Sequence, residues 1–174
     1  MTKDGDLTGK IGKKLAGNNE LDDYLVYYDH GESNDEKVGN IYITIDKEVN
    51  RKTQIGQLDI AIVRKEDSHA VLLVEIEESS ANPKTIIGDI FTFLLGNYVI
   101  FKKKNKDFKV TNETTFLVLI NGNEKPERIK NIINQKAMLA KKAIRNDNAL
   151  VGKIEIEWYS SESELINIIR SIVK

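Results

Sequence analysis

An α/β fold around one mixed sheet is what this sequence predicts, and three observations lead there. Three Ile- and Val-rich segments, 41–49, 55–64 and 70–77, follow one another across short polar connections and read as an antiparallel meander. Two later apolar segments, 116–120 and 154–159, each follow a helix-length amphipathic stretch, and the first is expected to pair in parallel through a crossover. The helix starts are marked by local signals: Pro83 after Asn82, Pro126, and a Ser161-x-x-Glu164 capping box.

Taken in order, residues 1–14 carry Lys and Asp but no apolar run, so neither a signal peptide nor a membrane anchor is expected there. Leu21, Tyr24, Leu25 and Tyr28 recur at helical spacing, which predicts a short amphipathic helix ending near Gly31. An acidic loop, 32–37, leads into the three strands. The next helix, 83–98, places Ile86, Ile87, Ile90, Phe91, Leu94 and Tyr98 on one stripe, with Phe93 and Leu95 off it. A helix apolar almost all round is either central or at a subunit contact, so a homodimer through 83–98 is the matching expectation. A further helix, 126–145, turns Ile129, Ile132, Ile133, Ala137, Ala140 and Ile144 inward, and the last spans Glu162–Val173. The order is α-β-β-β-α-β-α-β-α.

At 174 residues, with 40% hydrophobic side chains and only 2 Pro, the chain fits a single domain, 1–174. It has no cysteine and two histidines, His30 and His69, which exclude disulfides, thiolate metal sites and an all-histidine zinc site. Any metal must therefore be held by oxygen. The longest apolar stretch, 86–101, is interrupted by Gly88, Asp89, Thr92, Gly96 and Asn97, so no membrane span is predicted and the cytoplasm is the expected compartment. No phosphate-binding glycine loop, dinucleotide fingerprint or nucleophile elbow occurs.

The chemistry lies in three acids. Strand alternation puts Gln57, Asp59 and Ala61 on one face, and Leu73, Glu75 and Glu77 on one face of the next strand. A hairpin symmetric about Asp67 pairs residues whose numbers sum to 134, which sets Asp59 opposite Glu75 and Gln57 opposite Glu77. Like charges directly opposed in an apolar strand pair are destabilising. A divalent cation reverses that, because hard oxygen ligands suit Mg²⁺ or Mn²⁺.

With Asp59 in Gly56-Gln57-Leu58-Asp59-Ile60-Ala61-Ile62-Val63, and fifteen residues between it and Glu75 in Val74-Glu75-Ile76-Glu77, the chain resembles the PD-(D/E)XK nuclease superfamily. That resemblance implies a restriction-endonuclease-like fold, with an α-β-β-β-α-β core over about 18–121 and a C-terminal α-β-α extension over about 122–174. It also implies a metal-dependent nuclease that hydrolyses phosphodiester bonds, an endonuclease with DNA ahead of RNA as substrate. The same fold without catalysis, binding nucleic acid or protein, is the alternative. Asp59 and Glu75, with the backbone carbonyl of Ile76, would ligate the metal. Glu77 stands where the family usually has Lys, and would orient or deprotonate the attacking water. An acid from the first helix often joins such a site, for which Glu20, Asp22 and Asp23 are candidates.

Net charge is −1, but it is unevenly spread. Residues 20–36 hold seven acids and no Lys or Arg, whereas 102–145 hold twelve Lys or Arg against four acids. The basic half suits a polyanion. Lys84, Lys102, Lys103 and Lys104 are the expected phosphate contacts, with Lys106, Lys109, Lys141, Lys142 and Arg145 as further basic groups. Tyr27, Tyr28 and Trp158 are candidates for stacking on bases.

Overall fold

Both faces of the central sheet are covered, and the sheet's own sequence explains why: its inner strands are apolar on both sides. The computed structural model describes residues 6–78, 83–123, 127–144 and 152–173; the side chains of residue 137 and of residues 140–144 lie outside that set. Five strands form the central sheet: β1 (Tyr24–Tyr28), β4 (Ile60–Arg64), β5 (Ala70–Glu77), β8 (Thr115–Asn121) and β9 (Lys153–Tyr159), in the order β1-β4-β5-β8-β9. The first three are antiparallel neighbours, while β5, β8 and β9 run parallel, so the sheet is mixed.

Helices α1 (Asp6–Ala16) and α4 (Glu162–Val173) cover one face through Ile11, Leu15, Leu165, Ile169 and Val173. Helices α2 (Pro83–Leu95) and α3 (Glu127–Ile144) cover the other through Ile86, Ile90, Phe93 and Ile133. A second sheet shares that second core. It comprises β2 (Ile41–Thr44), β3 (Gln54–Leu58), β6 (Tyr98–Phe101) and β7 (Lys106–Lys109), in the order β3-β2-β6-β7.

The expected helix at 21–31 is instead β1. Val26 and Tyr27 fill the gaps in the supposed helical stripe, and a continuous apolar run of five residues buried on both faces is a strand. The first helix lies upstream, at residues read as a loose terminus. Its buried positions, Thr8, Ile11, Gly12 and Leu15, are helically spaced, but two of the four are not apolar by type. Gly12 is needed for close approach: a Cβ there would lie 2.1 Å from the Tyr28 ring. The first helix among the described residues thus begins at Asp6, upstream of residue 18.

The segment 55–64 is two strands split at Asp59, one in each sheet. The meander of the central sheet is therefore β1-β4-β5, with β2 and β3 set aside in the second sheet, and the strand expected over 41–49 stops at Thr44. Residues 98–109, read as helix end and basic surface, form the β6–β7 hairpin around a 3₁₀ turn, Lys102–Lys104, closed by Asn105 at φ 47°. Tyr98 consequently belongs to a strand. On α2 the buried stripe is Ile86, Ile90 and Phe93, which leaves Phe91 and Leu95 exposed.

The expectations for β8, β9 and α4 hold, whereas Pro126 and the side chains of Ala137, Ala140 and Ile144 lie outside the described residues. β8 pairs with β5 in parallel, β9 joins it, and α4 has the predicted bounds. Ser161 Oγ accepts the Glu164 N–H at 3.2 Å, but the Glu164 carboxylate reaches back to Ser160 and not to Ser161. Asn82, the expected cap of α2, lies outside the described residues. No helix among the described residues is long and apolar enough to cross a membrane.

Candidate metal centre

Register decides where the acids fall. β4 and β5 pair as Ile60–Val74, Ala61–Leu73 and Ile62–Leu72, each summing to 134 as the symmetric hairpin requires, and then shift by one at Val63–Ala70. Asp59 is one step beyond this ladder, at the break between β3 and β4, and Glu75 is one step beyond on β5.

Asp59 is bound to the strand that carries Glu75. The Ile76 N–H donates to Asp59 Oδ2 at 2.7 Å, and the Asp59 backbone exerts a small lowering influence on the Glu75 carboxyl. Asp59 Oδ1 also accepts from the Thr8 hydroxyl of α1 at 3.3 Å. Within a strand the N–H and C=O of one residue point to the same side. The Ile76 carbonyl accordingly faces the Asp59 side, past the last β4 pair.

Gln57, expected opposite Glu77, is not there. It pairs with Tyr42 in the second sheet, and its side-chain amide donates to Asp29 Oδ2. Asp29, at the end of β1, is the neighbour that pattern reading missed: it is 9% exposed, and its N–H donates to the Asp59 carbonyl at 2.8 Å. His30 follows in the left-handed region, φ 58°, with its N–H on Asp29 Oδ1 at 2.9 Å. A left-handed His next to a glycine is a turn signal, but sequence alone does not say that the turn abuts Asp59.

Asp89 was also missed as a site residue. It lies on α2, three residues after buried Ile86 and one before buried Ile90, so it faces the sheet. Its Oδ2 has no solvent contact and no hydrogen-bond partner, and the same holds for Glu75 Oε2 and the Tyr159 hydroxyl. Its sequence signal was being the one acid in a largely apolar helix.

Burial, then the charges of Asp59, Asp89 and Glu77, pushes the Glu75 carboxyl well above the usual range. Burial raises Asp59 to about 6, against the lowering effects of the Ile76 and Thr8 hydrogen bonds and the charge of His30. Burial, then Glu77 and Asp59, raises Asp89 to about 6. Without a counter-charge these groups favour protons, and a hard cation is the alternative that lets them ionise.

Among the described residues, no three His, Asp or Glu side chains are placed to hold one metal ion. The donor set fits a cation held by two carboxylates and a carbonyl, Asp59, Glu75 and Ile76, with the remaining positions left to water or substrate, as Mg²⁺ favours. Glu20, Asp22 and Asp23 do not join it. They precede β1, whose Tyr24 end pairs with Arg64, whereas Asp59 adjoins the Tyr28–Ile60 end. Glu20 pairs with Arg170, and the Asp22 and Asp23 carbonyls hold Lys65.

The basic and acidic segments meet in space. Lys103 Nζ donates to the Ser33 and Asp35 carbonyls at 2.7 Å each, and Lys104 pairs with Glu36. Lys102 lies over the Tyr42 ring, 5.7 Å from its centroid, and Lys84 is exposed in the first turn of α2. The charge asymmetry of the sequence is thus partly cancelled internally. Tyr27 and Tyr28 are buried core residues, which removes them as stacking platforms; Trp158 is half-buried, beneath Lys130. Arg145 and the side chains of Lys141 and Lys142 lie outside the described residues. No protein-family model, curated protein or solved structure matches the chain significantly.

Proposed function

We propose that the protein is a divalent-metal-dependent nuclease of the restriction-endonuclease-like fold, cleaving phosphodiester bonds in nucleic acid, with DNA the first substrate to test. One observation carries this reading. Two half-buried, mutually repelling carboxylates, Asp59 and Glu75, adjoin at the carboxyl end of β5, where the Ile76 N–H holds Asp59. Holding them there unneutralised costs stability, which a cation site explains. The strand sequence β1-β4-β5-β8, preceded by α1 and with α2 between β5 and β8, supplies the α-β-β-β-α-β order of that fold, with β2–β3 and β6–β7 as insertions.

Mg²⁺ or Mn²⁺, when bound, supplies Lewis-acid polarisation of the scissile phosphoryl group. Asp59, Glu75 and the Ile76 carbonyl would hold it, and Thr8 and the Ile76 N–H fix the Asp59 carboxylate so that it need not reorganise. Glu77 orients the attacking water and accepts its proton as the water oxygen bonds to phosphorus. The P–O bond to the leaving oxygen then breaks, and that oxygen takes a proton from solvent. Lys84 and Lys102 contact the phosphate backbone, while Lys103 and Lys104 do so only where nucleic acid displaces the acidic loop.

Purified protein incubated with plasmid, single-stranded DNA and RNA tests this. Cleavage is expected with Mg²⁺ or Mn²⁺, absent in EDTA, and lost in Asp59→Ala and Glu75→Ala. Cleavage that persists in EDTA or in Asp59→Ala overturns the assignment. Metal-independent binding with no cleavage of any substrate would favour the non-catalytic alternative.

A further inference from the structure

Five large apolar side chains stay exposed among the described residues, and they gather in one place: Ile45, Phe91, Leu95, Met138 and Leu139, each 43–65% exposed. Phe91 and Leu95 stand one turn apart on α2, on the side away from buried Ile86, Ile90 and Phe93. α2 starts beyond the carboxyl end of β5 and runs back to its amino end, because Tyr98 pairs with Lys109, which bridges His69. α3 runs the same way, from the carboxyl end of β8 to the amino end of β9, and packs beside α2. Leu95 lies 12 residues after Pro83, and Met138 and Leu139 lie 11 and 12 residues after Glu127, so these three share one level. Ile45 extends the patch past the end of α2: the Asn97 N–H and side-chain amide donate to the Thr44 and Ile45 carbonyls, each at 2.9 Å.

Area identifies the occupant. At roughly 200 Å² for an open side chain of this size, the five present about 500 Å² of apolar surface, the upper end of what a monomer leaves uncovered. A standard interface buries about 800 Å² per partner, and between identical chains about 65% of it is apolar, which also comes to about 500 Å². The patch therefore supplies the whole apolar share of a dimer contact. It is also clear of the candidate cation site at the carboxyl end of β5, since Leu95 is about 18 Å along α2 from Pro83.

We propose that two copies of this chain pair through this patch, face to face about a two-fold axis, with α2 and α3 of one copy against those of the other. The same surface serves on both copies, so the contact closes on itself and the assembly stops at two. Pairing here is independent of the metal-dependent reading and leaves both cation sites open.

Sedimentation equilibrium of the full chain tests this. Wild type is expected at twice 19.7 kDa, and the double variant Phe91→Glu, Leu95→Glu at 19.7 kDa with an unchanged circular dichroism spectrum, because both side chains are exposed in one copy. If the double variant does not fold, spin labels decide, since the chain has no cysteine of its own. Gln135→Cys lies one turn before Leu139, and Asn167→Cys is on α4, across the central sheet. Electron paramagnetic resonance should give a shorter distance between copies for labels at position 135 than at position 167. A monomeric wild type, a dimer that persists in the folded double variant, or a shorter distance at position 167 overturns the proposal.

Discussion

Ile76 donates its backbone N–H to the Asp59 carboxylate at 2.7 Å, so the acid at the β3–β4 break is fastened to the strand that carries Glu75 and Glu77. This bond spans 17 residues of sequence and ties the two strands beyond the end of the β4–β5 ladder at Ile60–Val74. An Asn at position 59 keeps an acceptor for that N–H and loses the charge.

That substitution separates ligation from folding. Mn²⁺ at about a hundred times its dissociation constant should stabilise wild type by about 2.7 kcal/mol, raising Tm by about 5–10 °C for a domain of this size. In Asp59→Asn the metal-induced shift should largely vanish while the metal-free melt is unchanged or higher. Equal shifts in the two proteins, measured by thermal melts, would remove Asp59 from the site.

The raised carboxyl of Asp59 sets a pH dependence of defined sign. A carboxyl near 3.9 unfolded and about 6 folded makes the native state bind more protons between those values. Its stabilising contribution is complete below about pH 4 and is lost as the pH rises through about 6. In EDTA, Asp59→Asn should therefore gain stability relative to wild type between pH 4.5 and 7. Denaturant melts at several pH values measure this, and a difference that stays flat or falls would contradict it.

The clamp between the basic turn and the acidic loop predicts different costs for neighbouring lysines. Lys103→Ala removes two charged hydrogen bonds to loop carbonyls and should cost about 1 kcal/mol, whereas Lys104→Ala breaks one exposed pair and should cost less. Lys102→Ala should leave stability unchanged and lower the salt dependence of nucleic-acid binding by about 0.9 in log–log slope if it meets one phosphate. Urea unfolding and binding titrations across salt concentrations check these outcomes.

Two glycines in helices should respond oppositely to alanine. At Gly12 a Cβ meets the Tyr28 ring, so Gly12→Ala should destabilise by about 1–3 kcal/mol and disturb Thr8 beside Asp59. At Gly88 a Cβ meets nothing within 4 Å, so Gly88→Ala should stabilise by about 0.5–1 kcal/mol through helix propensity. Denaturation midpoints of the two variants settle the comparison.

The sequence by itself determined the elements whose signals are local. The capping box at Ser161 set the start of α4, Pro83 that of α2, and the apolar run 116–120 the parallel neighbour of β5. It also determined the register that brings residue 59 toward residue 75, because hairpin symmetry about Asp67 needs no knowledge of other strands. Only the tertiary structure decided the rest. Whether Leu21 to Tyr28 forms helix or strand depends on both faces being buried, since Tyr28 packs against Gly12 and Tyr27 lies in the opposite core. Asp29 and Asp89 approach Asp59 and Glu77 through contacts between elements 30 and 12 residues apart, which no periodicity encodes. Lys103 and Lys104 meet the acidic loop about 70 residues upstream for the same reason: long-range electrostatic pairing follows chain folding, and charge counted along the sequence does not reveal it.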